Sequence, residues 1–482
     1  MAALWRKKSL ELLRAEAAES EHGLRRTLGP LALMSLGIGA IVGAGIFVLS
    51  GVAAQHTGPA LVLSVILSGV GCAFAGLCYA EFAAMIPVAG SAYTYSYATI
   101  GEFLAWIIGW DLILEYAVGA TTVSIGWSGY LISFLSRTLN IPFPAELSRS
   151  PWEPLRLADG TMVHPLFNLP AAFIILLITT LLIIGIREST NFNNLIVLVK
   201  VGVVLLFILV GATYVHRAYW HPFLPPNEGT FGEFGFSGVL RGAGIIFFAY
   251  IGFDAVSTAA QEARNPERDM PIGILGSLGI CTILYIIVVL VLTGLQPFRN
   301  LNVADPLAIA IDATPARAWL SPIVKLGALL GTTAVILVMM LGQTRVFYSM
   351  AHDGLLPRAF GRIHSRFRTP YVSTALTGAC VAIAGGLLPL RIVGELVSIG
   401  TLLAFVIVSA SVMVMRKQRP DVRRPFRTPA VWLVGPLAII VCGGQMLGLP
   451  RATWIRLFVW MVIGLVVYFG YSRRHSVIRG QD

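Results

Sequence analysis

Charge is scarce in this sequence. Asp, Glu, Lys and Arg together make up 12% of its 482 residues. A soluble chain of this length usually carries about 25% and divides into several domains. None of the four occurs between Leu28 and Ala80. The patterns that catalysis would need are also missing. There is no H-E-x-x-H pair and no G-x-x-x-x-G-K-[ST] loop, and GWSGY at Gly126–Tyr130 lacks the G-x-S-x-G spacing. The five cysteines, Cys72, Cys78, Cys281, Cys380 and Cys442, form no C-x-x-C. All lie in apolar runs and read as small buried hydrophobes. These absences argue against an enzyme and against an ATP-driven pump. No metal and no cofactor is expected.

Hydrophobic residues fill 56% of the chain. Twelve apolar segments of roughly 18 to 28 residues begin near residues 30, 59, 101, 167, 192, 238, 271, 320, 369, 391, 429 and 454. Each is long enough to cross a hydrocarbon core of ~30 Å as a helix. The alternation over ~10 residues that marks an outer-membrane barrel is absent. The expected fold is therefore an all-α polytopic membrane protein with 12 transmembrane helices.

The net charge of +11 invites a nucleic-acid partner, but the positions of the charges argue otherwise. With an even number of spans and the N-terminus inside, 23 of the 35 Lys and Arg fall in cytoplasmic segments. Ten fall in outer segments. That excess is the positive-inside signature of a cytoplasmic membrane protein with both termini in the cytoplasm. Residues 1–29 read as a cytoplasmic amphipathic segment, with Leu4, Leu10, Leu13 and Ala17 on one stripe at the interface. The outer loop from about 137 to 166 is proline-rich and reads as structural cover. Residues 472–482 form a short cytoplasmic tail.

A weak internal repeat divides the chain further. Residues 30–217 hold the first five spans and 238–417 the next five. The last two spans, within 429–471, stand outside. Each five-span unit opens with a glycine-interrupted helix: LGIGAIVGAGIF in span 1 and GAGIIFFAYIGFD, Gly242 to Asp254, in span 6. An offset of five spans gives the two units opposite orientations. Paired interrupted helices in inverted halves point to a transporter site at the midplane.

The glycines of span 1 allow three readings. Dinucleotide binding needs a preceding strand and a βαβ unit, which apolar helix on both sides excludes. Close helix packing suits the Gly39 to Gly43 spacing. An unwound segment is the third, tolerated at membrane depth only where it lines a cavity. There, free N–H groups beside a half-helix N-terminus suit a carboxylate, and free carbonyls suit an ammonium group. Together they describe a receptor for a zwitterion.

Charges inside spans face a cavity or a partner by default. Lys200 lies about nine residues from the inner end of span 5, hence ~14 Å deep at ~1.5 Å per residue. Gly43 enters span 1 from the same side to a similar depth. Asp254 ends the motif of span 6. Asp111 and Glu115 stand at i and i+4 on span 3. For each, a satisfied structural ion pair is the competing reading. Glu81, Glu102 and Lys325 lie near span ends, where that reading dominates. A buried lysine is a poised titrating group, so Lys200 supplies a physical basis for proton coupling.

Four stretches carry a resemblance. They are GLRRTLGPLALMSLGIGAIVGAGIFVLSG, CYAEFAAMIPVAGSAYTYSYATIGEFLAWIIGWDLILEY, FFAYIGFDAVSTAAQEARNPERDMPIGI and QTRVFYSMAHDGLLP. The chain resembles the cationic amino acid transporter branch of the amino acid–polyamine–organocation superfamily, over roughly residues 4 to 471. The resemblance implies the LeuT fold, a five-plus-five inverted repeat with two extra helices. Twelve spans fit its bacterial members. It places substrate carboxylate contacts on the N–H groups of Ala44 and Gly45, beside Gly43. It places amine contacts on the carbonyls of Ile41, Phe248, Ala249 and Ile251, with Phe248 as an aromatic cap. Met339 and Met340 of span 8 match positions facing the substrate side chain. Lys200 matches the lysine that replaces a sodium site in proton-coupled relatives. Asp254 matches the acidic residue of span 6, and Glu115 is the further coupling candidate.

A cationic substrate would want an acidic partner. Span 8 offers methionines, and the span-6 break offers Phe247, Phe248, Tyr250 and Phe253. Such a pocket favours small or medium neutral amino acids. The expectation is an importer of such amino acids, coupled to protons by alternating access, whose partners are its substrate, protons and the bilayer. A cationic amino acid transporter, an exchanger, a sodium symporter and a transport-dead sensor remain alternatives. An accessory subunit is left open.

Overall fold

The apolar runs become helices close to where they are expected. The computed structural model describes residues 6–8, 28–85, 91–156, 162–185, 190–254, 256, 257, 260 and 263–479. In chain order the helices are α1 (Pro30–Ile41), α2 (Ser50–Thr57), α3 (Leu61–Met85), α4 (Ser91–Thr99), α5 (Glu102–Ile113) and α6 (Gly119–Ser133). There follow α7 (Leu169–Ile184), α8 (Thr190–Gly211), α9 (Gly235–Ile246), α10 (Pro266–Leu295) and the short α11 (Pro306–Asp312). The last are α12 (Arg317–His352), α13 (Tyr371–Leu387), α14 (Leu390–Gln418), α15 (Val431–Gly448) and α16 (Arg451–Val467). Among the described residues, 8 helical segments suffice by length and composition to cross a membrane, the first of them the interrupted Pro30–Met85. Three shorter apolar helices, Leu169–Ile184, Gly235–Tyr250 and Tyr371–Leu387, accompany them.

Local chemistry sets several helix ends. Pro30, Pro266 and Pro306 open their helices, where a missing N–H costs nothing. Asn168 caps α7 by accepting from the Ala171 N–H at 3.3 Å. Gly185 closes α7 at φ 78°. The bundle is inverted relative to a soluble protein. Phe173, Leu198, Leu209, Ile283 and Ile463 are exposed, whereas Lys200, Asp254 and Gln343 are fully buried. That is the arrangement hydrocarbon demands.

The arginine-rich end of the bundle is termed inner, the other outer. At the inner end, Lys8 Nζ bonds Asp353 at 2.8 Å and Tyr93 donates to the same carboxylate at 2.6 Å. Glu81 takes Arg416 at 2.7 Å and Arg424 at 3.4 Å. Glu102 accepts from Tyr468 at 2.9 Å and from Ser476. At the outer end, Lys325 and Arg137 both reach Asp312 at 3.5 Å, and Arg137 reaches Asp305 at 3.8 Å. Burial pushes the Asp305 carboxyl up, opposed by Ser133, Arg137 and Lys325. Glu81, Glu102 and Lys325 are thus held in structural contacts.

Three details differ from or fall outside the sequence reading. Cys380 is exposed on the surface of α13, while the other four cysteines are buried. An apolar run therefore does not by itself bury a cysteine, because one face of a spanning helix meets lipid. The N-terminal amphipathic helix falls largely outside the described residues; residues 6–8 are non-helical and bonded across the inner face. The outer loop carries a small antiparallel pair, β1 (Leu155–Arg156) and β2 (Met162–Val163). It is tied to the end of α13 by Ser150 on the Leu387 carbonyl at 2.6 Å.

Candidate functional site

The glycine-rich stretch of span 1 does interrupt a helix. α1 ends at Ile41, and Val42 turns to φ −72°, ψ 95°. Helical geometry resumes at Ala44, and a π-helical turn over Gly45–Leu49 leads into α2. Such an interruption orphans the last carbonyls of the first half and the first N–H groups of the second. In a membrane these must find partners.

One partner is local, and two come from other helices. The Ile38 carbonyl accepts from the Val42 N–H at 2.9 Å. The Gly39 carbonyl accepts from Lys200 Nζ at 2.7 Å. The Ile41 carbonyl accepts from Tyr285 Oη at 2.8 Å. A lysine ammonium on the carbonyl end of a half-helix also meets the negative end of its dipole. Lys200 is fully buried, and its stem passes Gly331 of α12. Beyond the break, Tyr130 donates to the Phe47 carbonyl at 2.7 Å.

Span 6 breaks differently. α9 gives way to a 3₁₀ turn over Phe247–Tyr250, then Ile251 is extended at ψ 135°. Gly252 has φ 119°, which only glycine adopts without strain. Asp254 closes the segment. Its carboxylate accepts from the Gly252 N–H at 3.3 Å and from Tyr116 Oη at 2.9 Å.

The two breaks are packed on each other through their main chains. A Cβ at Gly45 would overlap the Cα of Ala249 and lie 2.6 Å from its nitrogen. A Cβ at Gly252 would lie 2.8 Å from the Ala40 carbonyl carbon. Each break thus uses one glycine to touch the other's backbone. Gly43 differs, because a Cβ there would first meet a side chain, that of Val335, at 2.7 Å.

The structure brings Ile41, Gly43, Ala44 and Gly45 together with Ala249 and the neighbouring Phe248 and Ile251; all are buried. Met339 is buried against Gly119 of span 3, with its Sδ 3.0 Å from that Cβ position. Val335, one turn before Met339 on the same face of α12, is the residue that touches the span-1 break. Met340 is fully buried but off that face. Glu115 sits in a π-helical turn, Leu114–Val118, beside Asp254. Such turns often mark functional positions. The carboxylate oxygens of Asp111 and Glu115 are buried with no hydrogen-bond partner among the described residues. No group of three or more His, Cys, Asp or Glu with metal-site geometry occurs among the described residues.

The sequence model of the amino acid permease family matches residues 28–475. The chain belongs to that family. It is 48% identical over 474 residues to the branched-chain amino acid permease BcaP of Bacillus subtilis, covering 98% of each chain. It is 45% identical over 479 residues to the methylthioribose transporter of the same organism, covering 99% of this chain and 100% of the relative. A vacuolar cationic amino acid transporter 4 of Arabidopsis thaliana is 36% identical over 422 residues, 87% of this chain and 68% of the relative. These relatives indicate a membrane-embedded transporter rather than an enzyme.

Sequence reasoning misses four residues of this candidate site: Tyr116, Tyr285, Gly331 and Val335. Tyr285 leaves one usable signal, an aromatic hydroxyl inside the apolar run ICTILYIIVV. Tyr116 directly follows Glu115. Gly331 and Val335 leave none, because their roles depend on which face of α12 meets α1.

Proposed function

We propose that this permease imports small or medium neutral L-amino acids, branched-chain ones foremost, in symport with protons. Transport would proceed by alternating access in a LeuT fold, with inverted units over 30–217 and 238–417 and α15 and α16 outside them. The termini would face the cytoplasm. The observation that carries this reading is Lys200 Nζ on the Gly39 carbonyl, at the edge of the span-1 break.

The substrate carboxylate is taken by the N–H groups of Ala44 and Gly45, in the first turn of the outer half-helix. The ammonium group is taken by the carbonyls of Ile41, Phe248, Ala249 and Ile251. Ile41 has one lone pair left, since Tyr285 uses the other. The side chain lies toward Val335 and Met339, an apolar surface with no carboxylate to hold a cation. Phe248 covers the site as the outer halves close. Protonated Lys200 holds the end of α1 in place. Loss of that proton removes the charge from the Gly39 carbonyl and frees α1 to move toward the inward-open state. Asp254 and Glu115 accept and pass the proton.

Proteoliposome uptake of leucine under an imposed pH gradient tests the reading. Lys200→Met should abolish gradient-driven uptake while leaving leucine binding intact. Unchanged pH-dependent uptake in that variant would sink proton coupling through Lys200. One relative favours a second reading. Methylthioribose, a thioether sugar, has neither carboxylate nor ammonium group and no use for a main-chain zwitterion site. A thermal-shift panel of leucine, isoleucine, valine, arginine, lysine and methylthioribose separates the cases. Stabilisation by methylthioribose alone, or by arginine and lysine alone, would overturn the neutral amino acid.

A further inference from the structure

A second site lies at the inner end, away from the two breaks. A groove of about 680 Å³ opens between the start of α10 and the loop joining α14 to α15. Arg268, Ile272 and Leu275 line one side, and Arg423 and Phe426 the other. Among the described residues Glu267 is the sole acid in its lining, set against Arg268 and Arg423. Arg423 pairs with Glu267 at 3.1 Å, but both side chains are exposed, and such a pair holds weakly. Arg268 is exposed, with no ion pair among the described residues.

The groove does not end at the arginines. It continues onto the outer surface of α10 as an apolar lane. Ile272, Ile280, Ile283 and Ile287 are exposed there, spaced to share one helical face. Gly279 interrupts the row, and a Cβ there would meet nothing within 4 Å, whereas at Gly276 a Cβ would meet the Met34 side chain at 2.6 Å. The row of isoleucines therefore has a furrow in it at Gly279, on the way from the arginines toward the middle of the bundle.

We propose that this groove binds an anionic phospholipid of the inner leaflet. Its phosphate sits between Arg268 and Arg423, and one acyl chain lies along the isoleucines in the furrow at Gly279. Guanidinium forks match phosphate oxygens two at a time. Basic pockets at this level of a bundle suit acidic headgroups. A soluble anion would satisfy the arginines and leave the furrow unused; a lipid uses both. The site also has a bearing on α1. Gly273 packs on Leu33, Gly276 on Met34 and Gly37 on Ser277. A bound lipid would thus brace the helix on which the mobile half of span 1 rests.

Native mass spectrometry and thermal shift of the purified full chain test this. The probes are dioleoylphosphatidylglycerol, dioleoylphosphatidylcholine, glycerol 3-phosphate and inorganic phosphate. Phosphatidylglycerol should bind at least tenfold more tightly than phosphatidylcholine. Arg268→Gln with Arg423→Gln should remove that preference, while the charge-matched pair Arg358→Gln with Arg362→Gln keeps it. Gly279→Leu, which fills open space and leaves the arginines intact, should weaken phosphatidylglycerol several-fold. Equal binding of the two lipids overturns the proposal, as does equal loss in both arginine pairs. Protection by phosphate or glycerol 3-phosphate as strong as by the lipid would make it a soluble-anion site. If the double variant does not fold, Arg268→Gln alone and Gly279→Leu decide the matter by the same criteria.

Discussion

The two helix breaks solve one problem with different materials. In span 1 the interruption is short and built from glycine and aliphatic residues. Its exposed main-chain groups are satisfied from outside, by Lys200 of α8 and Tyr285 of α10. In span 6 the interruption is longer and aromatic, and it ends on its own carboxylate. Asp254 folds back onto the Gly252 N–H and takes Tyr116 from span 3. The first break depends on its neighbours for these caps. The second partly caps itself. A break capped by others can be released by changing the cap, so span 1 is the better candidate for the moving part and span 6 for the frame.

The hardest blow to this arrangement is a side chain placed where the breaks touch. Gly45→Leu would drive a branch into the Ala249 backbone, which cannot step aside as a side chain does. Ordinary overpacking costs about 1–3 kcal/mol; this position should exceed it, so leucine binding should be lost. Calorimetry on protein that still elutes as a single species checks the outcome. Retained binding would reduce the span-1 glycines to helix packing. Gly43→Ala sharpens the point, because the nearest obstacle there is the Val335 side chain rather than backbone. Its defect should be milder and should be relieved by Val335→Ala, whereas that second change should do nothing for Gly45→Leu.

Next in size is the cap itself. Lys200→Met keeps the length of the stem and deletes the charge on the Gly39 carbonyl. Counterflow exchange, which needs no net proton movement, should persist in the variant while uptake driven by a pH gradient falls to background. Loss of both would make Lys200 a structural strut. On the other break, Asp254→Asn can still accept from Tyr116, so its effect should be smaller. Substrate affinity should hold within a few-fold and the pH dependence of uptake should flatten. A profile parallel to that of the unaltered protein would leave Asp254 as a purely structural end to the turn.

Much of this architecture is legible in the order of the residues alone. Helix starts are readable to within five residues, because a hydrocarbon core imposes long apolar runs with proline, glycine or charge at their ends. The span-1 break is readable because four glycines in thirteen residues are hard to reconcile with a continuous helix. Partners are not readable. Tyr285 lies 244 positions from Ile41 and Lys200 lies 161 from Gly39, and nothing local encodes such pairings. The choice within span 8 shows the same boundary. Met339 and Met340 look equivalent in sequence, yet a step of ~100° around the helix turns one of them off the face of Val335 that meets span 1. Cys380 shows what a run read as a whole leaves out: Ser373, Thr374 and Thr377 mark the buried face of α13, and the cysteine stands off it.

The mildest change tests whether the span-1 caps act independently. Tyr285→Phe removes one hydroxyl and leaves the Ile41 carbonyl without its donor. A neutral hydrogen bond contributes about 0.5–1.5 kcal/mol, so the conformational equilibrium should shift by roughly 2- to 13-fold. Lys200 remains on Gly39 in this variant, and α1 keeps its charged cap. Proton coupling should therefore survive, with pH dependence unchanged. The loss should appear in leucine affinity, since Ile41 is a shared acceptor for tyrosine and substrate. An affinity that rises instead would mean that the tyrosine competes with the substrate for that carbonyl. The first break would then be tuned by occupancy of its oxygens, with α1 held by Lys200 alone.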